Sequence, residues 1–419
     1  MGFITNILDR IKSQVQPKLK PTFVTPDHKR ISPKHIHPAA KRIIFELQKA
    51  NFDAYIVGGA LRDLLTSTKP KDFDIVTNAT PNQIKKLFRS AIIIGRRFKI
   101  VHVRDKHHTF EVATFRSNRS GKVDQNGFRT RDNEFGTIQD DVLRRDFTIN
   151  ALYYDPKENQ LLDFTHACDD IKSKRISMIG KTEERFKEDP VRMLRAARMA
   201  AKLNFEIDVD ILEAISQQKN LLANISSDRL SFEVQKLFYT GHARKSLDKL
   251  NALGLFNVLF PQTQVCLSDK RIQKQTQTFL NQACYNADQR YLKNKTLSSA
   301  FLYAVLLWWP LKQATRKLRP RDRDYAKQFM AAAENIINEQ QKTLKLPRKI
   351  IEGILHIWQL QLSFMKSDDY IVDRTLKSPR FRAGLDLLML RAHANEPVWW
   401  QAVKWQGLSS TLESSTTAK

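Results

Sequence analysis

The sequence predicts a small α/β domain with a mixed sheet, followed by an all-helical region. Three observations predict it. From residue 37 to about residue 165, helix-patterned and strand-patterned segments alternate. After about residue 170 the strand signal fades and helical periodicity runs towards the end of the chain. The longest apolar run, 300–309, stops at Pro310, far short of the ~20 residues a membrane span needs.

Residues 1–34 read as a basic tail and linker. Ile4, Ile7, Leu8, Ile11 and Val15 recur at helical spacing, as in a short amphipathic helix that either lies on a membrane surface or packs on the body. Pro21, Pro26 and Pro33 punctuate the basic stretch that follows. A helix over 38–50 leads to a strand at 54–57, the turn Gly58-Gly59, a short helix at 61–65, a loop at 69–71 and a strand at 73–76. Thr80 caps a helix over 81–89, with Pro81 at its first position. Strand patterns follow at 91–94, 99–103 and 109–115. Residues 116–137, rich in Asn, Arg and Gly, form a long polar loop of the kind that is either functional or disordered. A short helix around 141–150 precedes a hairpin of 151–154 and 160–164. The expected organisation is a tail (1–34), an α/β head (35–170), two helical regions (171–265 and 266–408) and a Ser/Thr-rich disordered end (409–419).

Composition narrows the function. Lys and Arg number 70 against 44 Asp and Glu, a formal charge of +26. Such a surplus repels itself unless something offsets it, which points to a polyanion, either nucleic acid or an anionic membrane surface. A hydrophobic share of 42% is too high for a disordered chain, and 13 Gly with 15 Pro exclude collagen-like and low-complexity classes. Cys168, Cys266 and Cys284 lie far apart, so no zinc or redox pair is legible and a reducing cytosol fits. The histidines form no HExxH motif. Asp9, Arg10 and Lys12 interrupt any secretory signal, and Asn6 breaks the myristoylation pattern.

Three constellations carry chemistry. The first is Gly58-Gly59-Ala60-Leu61-Arg62-Asp63, followed by Lys71-Asp72-Phe73-Asp74. Glycines at a strand end let backbone N–H groups approach a phosphate, and Arg62 adds a charge in the next turn. Asp72 and Asp74 are two apart on a strand, so both carboxylates face one way. Two such charges repel unless a cation sits between them. Mg²⁺ fits, because it takes carboxylate and phosphate oxygens, and paired metals suit in-line phosphoryl displacement. The second is Arg144-Arg145-Asp146-Phe147-Thr148-Ile149-Asn150. Asp146 is a candidate third carboxylate, Glu111 competes with it, and Arg145 and Asn150 suit ribose or phosphate oxygens. The third is Glu188-Asp189-Pro190-Val191-Arg192-Met193-Leu194-Arg195-Ala196-Ala197-Arg198. Asp189 reads as an N-cap, and Arg192, Arg195 and Arg198 share one helix face. A carboxylate with guanidiniums offers an acceptor and donors to a base edge.

In this order the motifs GGxxRD, DxD, RRDFTxN and EDPxRxLRxxR resemble the class II nucleotidyltransferases, which are bacterial poly(A) polymerases and tRNA CCA-adding enzymes. The poly(A) branch is the more similar, over roughly residues 31–405. Residues 70–81, Gly95-Arg96-Arg97-Phe98, Arg131-Asp132-Asn133 and 254–261 also look like it. The resemblance implies a nucleotidyltransferase head followed by a helical neck and an RNA-binding body. It makes Asp72 and Asp74 the ligands of two Mg²⁺ ions and Asp146 the third catalytic aspartate. It places Gly59, Arg62 and Arg145 at the nucleotide, where the residue pattern itself also puts Gly58 and Asn150, with Asp189, Arg192, Arg195 and Arg198 at its base. It implies transfer of AMP from ATP to RNA 3′ ends in the cytoplasm, in RNA turnover with RNA-decay proteins as partners. A CCA-adding enzyme and an inactive RNA-binding scaffold are the alternatives. The family often ends in a Lys/Arg-rich tail, whereas residues 409–419 hold a single Lys. The N-terminal linker and the run Arg316, Lys317, Arg319, Arg321 and Arg323 are the expected RNA contacts instead. Trp308-Trp309 and Trp399-Trp400 sit in apolar helical contexts and are expected in the core.

Overall fold

The structure, a computed structural model, describes residues 19–24, 30–95, 99–117 and 135–417. The segment from Ile4 to Val15, the residues Arg96, Arg97 and Phe98, the stretch Arg131-Asp132-Asn133 and most of the polar loop lie outside these.

Two compact units make up the chain: Met1–Asp189 with Phe205–Ile211, and Pro190–Asn204 with Leu212–Lys419. The first holds one mixed sheet of eight strands. In chain order they are β1 (Thr22–Val24), β2 (Ala54–Val57), β3 (Asp74–Thr77), β4 (Ala91–Ile94), β5 (Ile100–Asp105), β6 (His108–Thr114), β7 (Leu152–Asp155) and β8 (Gln160–Asp163). Across the sheet the order is β1-β8-β7-β2-β3-β6-β5-β4. Only β3 and β6 pair in parallel; every other neighbouring pair is antiparallel. The predicted class therefore holds, and its central strands are short apolar runs because helices cover them. Val57, Val76, Phe115, Val142, Tyr153, Leu162 and Phe164 share one buried cluster.

Local chemistry sets the helix starts. Thr80 accepts from the Gln83 backbone N–H while the Gln83 side chain accepts from Thr80, a closed capping box before Pro81–Leu87. Thr137 and Asp140 make the same box before Ile138–Arg144.

The boundaries differ from the sequence reading in four places. Thr22–Val24, read as linker, pairs with β8, and Ile31 beyond it is fully buried. The first unit continues past residue 170 because Arg175 and Ile176 form a short parallel ladder with Glu206 and Ile207. The helix Ile138–Arg144 ends at Arg145, whose backbone is extended, and Thr148–Asn150 is a separate 3₁₀ turn. The final helix, Trp399–Thr417, runs into the Ser/Thr-rich end, following the register that buries Ala402 and Trp405.

Helices make up the second unit among the described residues, apart from the 3₁₀ turn Lys219–Asn224. Three indole N–H groups in its core find acceptors, while that of Trp309 has none: Trp358 donates to the Ala304 carbonyl and Trp405 to that of Phe364. Trp308 donates to the buried Glu396, which also takes Lys312 and Arg391. Trp308 and Trp309 are core residues as expected. Trp399 and Trp400 are not: they are 58% and 81% exposed. They open their helix, and the buried positions lie further along it. Trp358→Ala is therefore expected to cost about 3–5 kcal/mol, and Trp400→Ser less than about 0.5 kcal/mol, by urea unfolding of the two variants.

Candidate active site

β2 delivers the chain to Gly58, whose φ of 74° and ψ of −127° favour glycine. A Cβ there would stand 3.4 Å from Nη1 of Arg145 and 3.5 Å from the Asn150 carbonyl. At Gly59 the nearest group is the Arg62 guanidinium, also 3.4 Å away. The two glycines thus let two arginines close over one turn.

Both arginines are held by neighbours. The buried Arg62 donates through Nε and Nη2 to Asp63 at 2.9 and 2.6 Å, and through Nη1 to Asn150 Oδ1. Arg145 donates through Nε and Nη2 to Asp141 Oδ2 at 3.0 and 2.8 Å, and through Nη1 to the Asn150 carbonyl at 3.2 Å. The Tyr153 hydroxyl joins both, accepting from Arg145 and donating to Asp141. Burial alone would raise the Asp141 pKa, but the Arg145 charge and the Tyr153 hydrogen bond outweigh it and hold the carboxyl below its usual range.

Asn150 is the hinge of this network. Its amide nitrogen donates to Asp146 Oδ1 at 3.0 Å, and the same oxygen accepts from the Phe147 backbone N–H. Asp146 is buried and ties the turn that presents Asn150.

The acidic half lies at the start of β3. The strand begins at Asp74, so Asp72 stands in the loop before it rather than on the strand. Asp74 lies opposite Val57 in the antiparallel register. On its other side Ile75 pairs with Val112, which sets Glu111 beside Asp74 one step earlier. Partial burial pushes the Asp74 carboxyl up to about 6; the Glu111 charge adds to this, Arg145 opposes it and Asp72 adds a smaller push. The side chain is open to solvent on one side, as a ligand-binding carboxylate must be. Glu111, Arg145 and Asp72 thus all act on Asp74. That Glu111 stands beside Asp74 follows from the strand register, which no motif spacing reveals.

The donor set fits Mg²⁺. Among the described residues no three His, Cys, Asp or Glu side chains form a metal cage. Mg²⁺ does not need one, since it binds through one or two carboxylates and completes its shell with phosphate oxygens and water.

Of the remaining candidates, Asp189 belongs to the first unit and the others to the second. Asp189 stands at the end of the preceding helix. It closes Thr182–Glu188, its backbone N–H donating to Arg185, and Pro190 takes the N-cap position of Val191–Leu203. Pro190 itself has helical φ and ψ of −57° and −23°, so the boundary differs from the expected one by a single residue. In the second unit Arg192, Arg195 and Arg198 are half-buried along Val191–Leu203, with Arg198 Nε 3.5 Å from the buried carboxylate of Glu233. Arg316, Lys317, Arg319, Arg321 and Arg323 are all exposed in the turn between Trp308–Ala314 and Tyr325–Gln341.

Comparison with known proteins separates the branches. A family model for the poly(A) polymerase head domain matches residues 54–177. Models for the probable RNA and SrmB-binding site of polymerase A and for its arginine-rich C-terminus match 204–267 and 321–417. Poly(A) polymerase I of Escherichia coli O157:H7 is 36% identical over 97% of this chain and 90% of its own length. The chain belongs to the poly(A) polymerase family. Relatives outside this family match less of it: the CCA-adding enzyme of Bacillus velezensis is 35% identical over 52% of this chain and 54% of its own. The fold extends to that branch. The crystal structure of Bacillus stearothermophilus CCA-adding enzyme in complex with CTP superposes with a TM-score of 0.63 at 26% identity, covering 90% of this chain and 84% of that one.

Proposed function

We propose that this poly(A) polymerase family member is a template-independent nucleotidyltransferase that adds AMP from ATP to the 3′ end of RNA, releasing pyrophosphate. One observation carries the branch assignment: similarity to poly(A) polymerase I spans 97% of the chain, and similarity to the CCA-adding enzyme about half. In the reaction the 3′-hydroxyl oxygen bonds to the α-phosphorus as the bond to the leaving pyrophosphate breaks.

Asp72 and Asp74 are the residues that would hold two Mg²⁺ ions. When bound, such ions supply Lewis-acid stabilisation of the attacking and leaving oxygens. Glu111 contributes the third carboxylate at this edge. Asp146, the third catalytic aspartate by resemblance, acts instead as a positioning residue that holds Asn150 and, through it, Arg62. Arg62 and Arg145 provide positive charge above the Gly58-Gly59 turn, where a triphosphate needs it. Arg192, Arg195 and Arg198 recognise the base together with Asp189, as the family motif implies. The basic run from Arg316 to Arg323 contacts the RNA backbone. Among the described residues no helix is long and apolar enough to cross a membrane, and we place the enzyme in the cytoplasm, acting in RNA turnover alongside RNA-decay proteins.

The test uses two acceptors. With Mg²⁺ and ATP, the purified chain is expected to build long A tails on generic single-stranded RNA. CMP addition confined to tRNA lacking its CCA end would overturn the branch assignment. No pyrophosphate release with either acceptor would establish an inactive scaffold.

A further inference from the structure

The second unit contains a half-open cavity of about 270 Å³ that no step above uses. It lies between the helices Gln273–Leu292 and Ser299–Leu306, closed at one end by Phe238 and Tyr239. Its lining falls largely in 280–306, between the segments matched by the two family models of the helical region.

The interior is apolar, with Leu280, Leu302 and Val305 in the wall, while the mouth carries Arg290, Lys293 and Lys295. Lys293 and Lys295 are exposed. Arg290 is fixed in place: Nε and Nη2 donate to the Thr296 carbonyl at 3.4 and 3.2 Å, and Nη1 stands 3.8 Å from Asp386. Asp386 is the carboxylate in the lining. Tyr291, four residues after Ala287 and so on the same side of its helix, is 41% exposed.

An occupant must bring an apolar body smaller than the drug-sized ligands that fill about 300–1,000 Å³. It must also bring anionic charge for the two exposed lysines, since Arg290 already faces Asp386. A nucleotide of single-stranded RNA satisfies both: base in the cavity, flanking phosphates on the lysines. Asp386 separates this from a fatty acid. A carboxylate accepts hydrogen bonds, so Asp386 can take the exocyclic amino group of a base, a donor that a fatty acid lacks.

We propose that this cavity is a subsite for one unpaired nucleotide of the RNA being extended. The proposal rests on RNA being the acceptor. Two variants of the full-length chain test it: Lys293→Glu with Lys295→Glu at the exposed mouth, and Ala287→Trp to fill the interior. The probe is a labelled 15-nucleotide oligo(A), followed by anisotropy across a salt series. Each variant is expected to raise Kd about tenfold or more. The lysine variant should also lose about 1.4 from the slope of log Kd against log salt, at about 0.7 for each lost phosphate contact on a single strand. The KM for RNA should rise while kcat and the KM for ATP hold. RNA carrying 4-thiouridine should crosslink within residues 280–306 of the wild-type chain.

RNA affinity equal to wild type in both variants overturns the subsite even if AMP transfer is intact. Labelled AMP or dodecanoate that binds the cavity while RNA affinity stays unmoved overturns RNA as its occupant. A wild-type chain that binds oligo(A) through these residues but never extends it would sink the proposed function and leave the subsite standing.

Discussion

Asp72→Ala is expected to abolish AMP transfer, by roughly 10³-fold or more, while the first unit stays folded. Metal coordination at a reacting phosphate is worth several kcal/mol, and each 1.36 kcal/mol is tenfold in rate. The fold should tolerate the change because Asp72 is exposed in the loop before β3, so truncation leaves no cavity. It also removes one of the charges acting against Asp74. Without divalent ions the variant should therefore melt at or slightly above the wild-type temperature. With Mg²⁺ and ATP the wild type should gain thermal stability that the variant does not. Transfer within tenfold of wild type would overturn the metal-site assignment. The same assay separates the rival third carboxylates: Glu111→Gln should lose transfer without losing stability. Asp146→Ala should lose stability first, because the Phe147 N–H and the Asn150 amide then lack their acceptor.

Much of this site was legible before the fold was known, for physical reasons that differ by residue. Gly58 was readable because a tight turn at a strand end favours glycine, and the DxD pair because its spacing is visible in the sequence itself. The head's strands were readable because each is a short apolar run bounded by turn residues. Thr22–Val24 was not: a three-residue edge strand between prolines has no periodicity to detect, and only its partner β8 defines it. Glu111 was left open because its proximity to Asp74 arises from a parallel register between strands more than 30 residues apart. The tryptophan doublets show the limit of local context. Trp308 and Trp309 start a helix enclosed on all sides at that point, whereas Trp399 and Trp400 start one whose buried face begins at Ala402.

In the first unit a large stability effect should come from Arg145→Ala, at about 3–5 kcal/mol. Arg145 is partly exposed but its partner Asp141 is buried, and removing the arginine strands the Asp141 charge away from water. The loss should be non-additive. Asp141→Ala in the same chain removes the stranded carboxylate, so the double variant should be more stable than the sum of the single losses predicts. Arg145→Lys keeps the charge but cannot make the forked contact to Asp141 Oδ2 and Tyr153, and should fall between wild type and alanine. The pH dependence carries a definite sign. In the wild type the Asp141 carboxyl is held below its ordinary value, so its contribution is present above an unfolded pKa of about 3.9 and is lost as pH falls through the folded value. In Arg145→Ala, burial acts with much less opposition and pushes the same carboxyl upward. The penalty for its charged form is then largest at neutral pH and is relieved on acidification. The stability gap between the two proteins, measured by urea unfolding, should therefore narrow from pH 7 to pH 4. A gap that stays constant over that range would mean that Asp141 is not the group Arg145 supports.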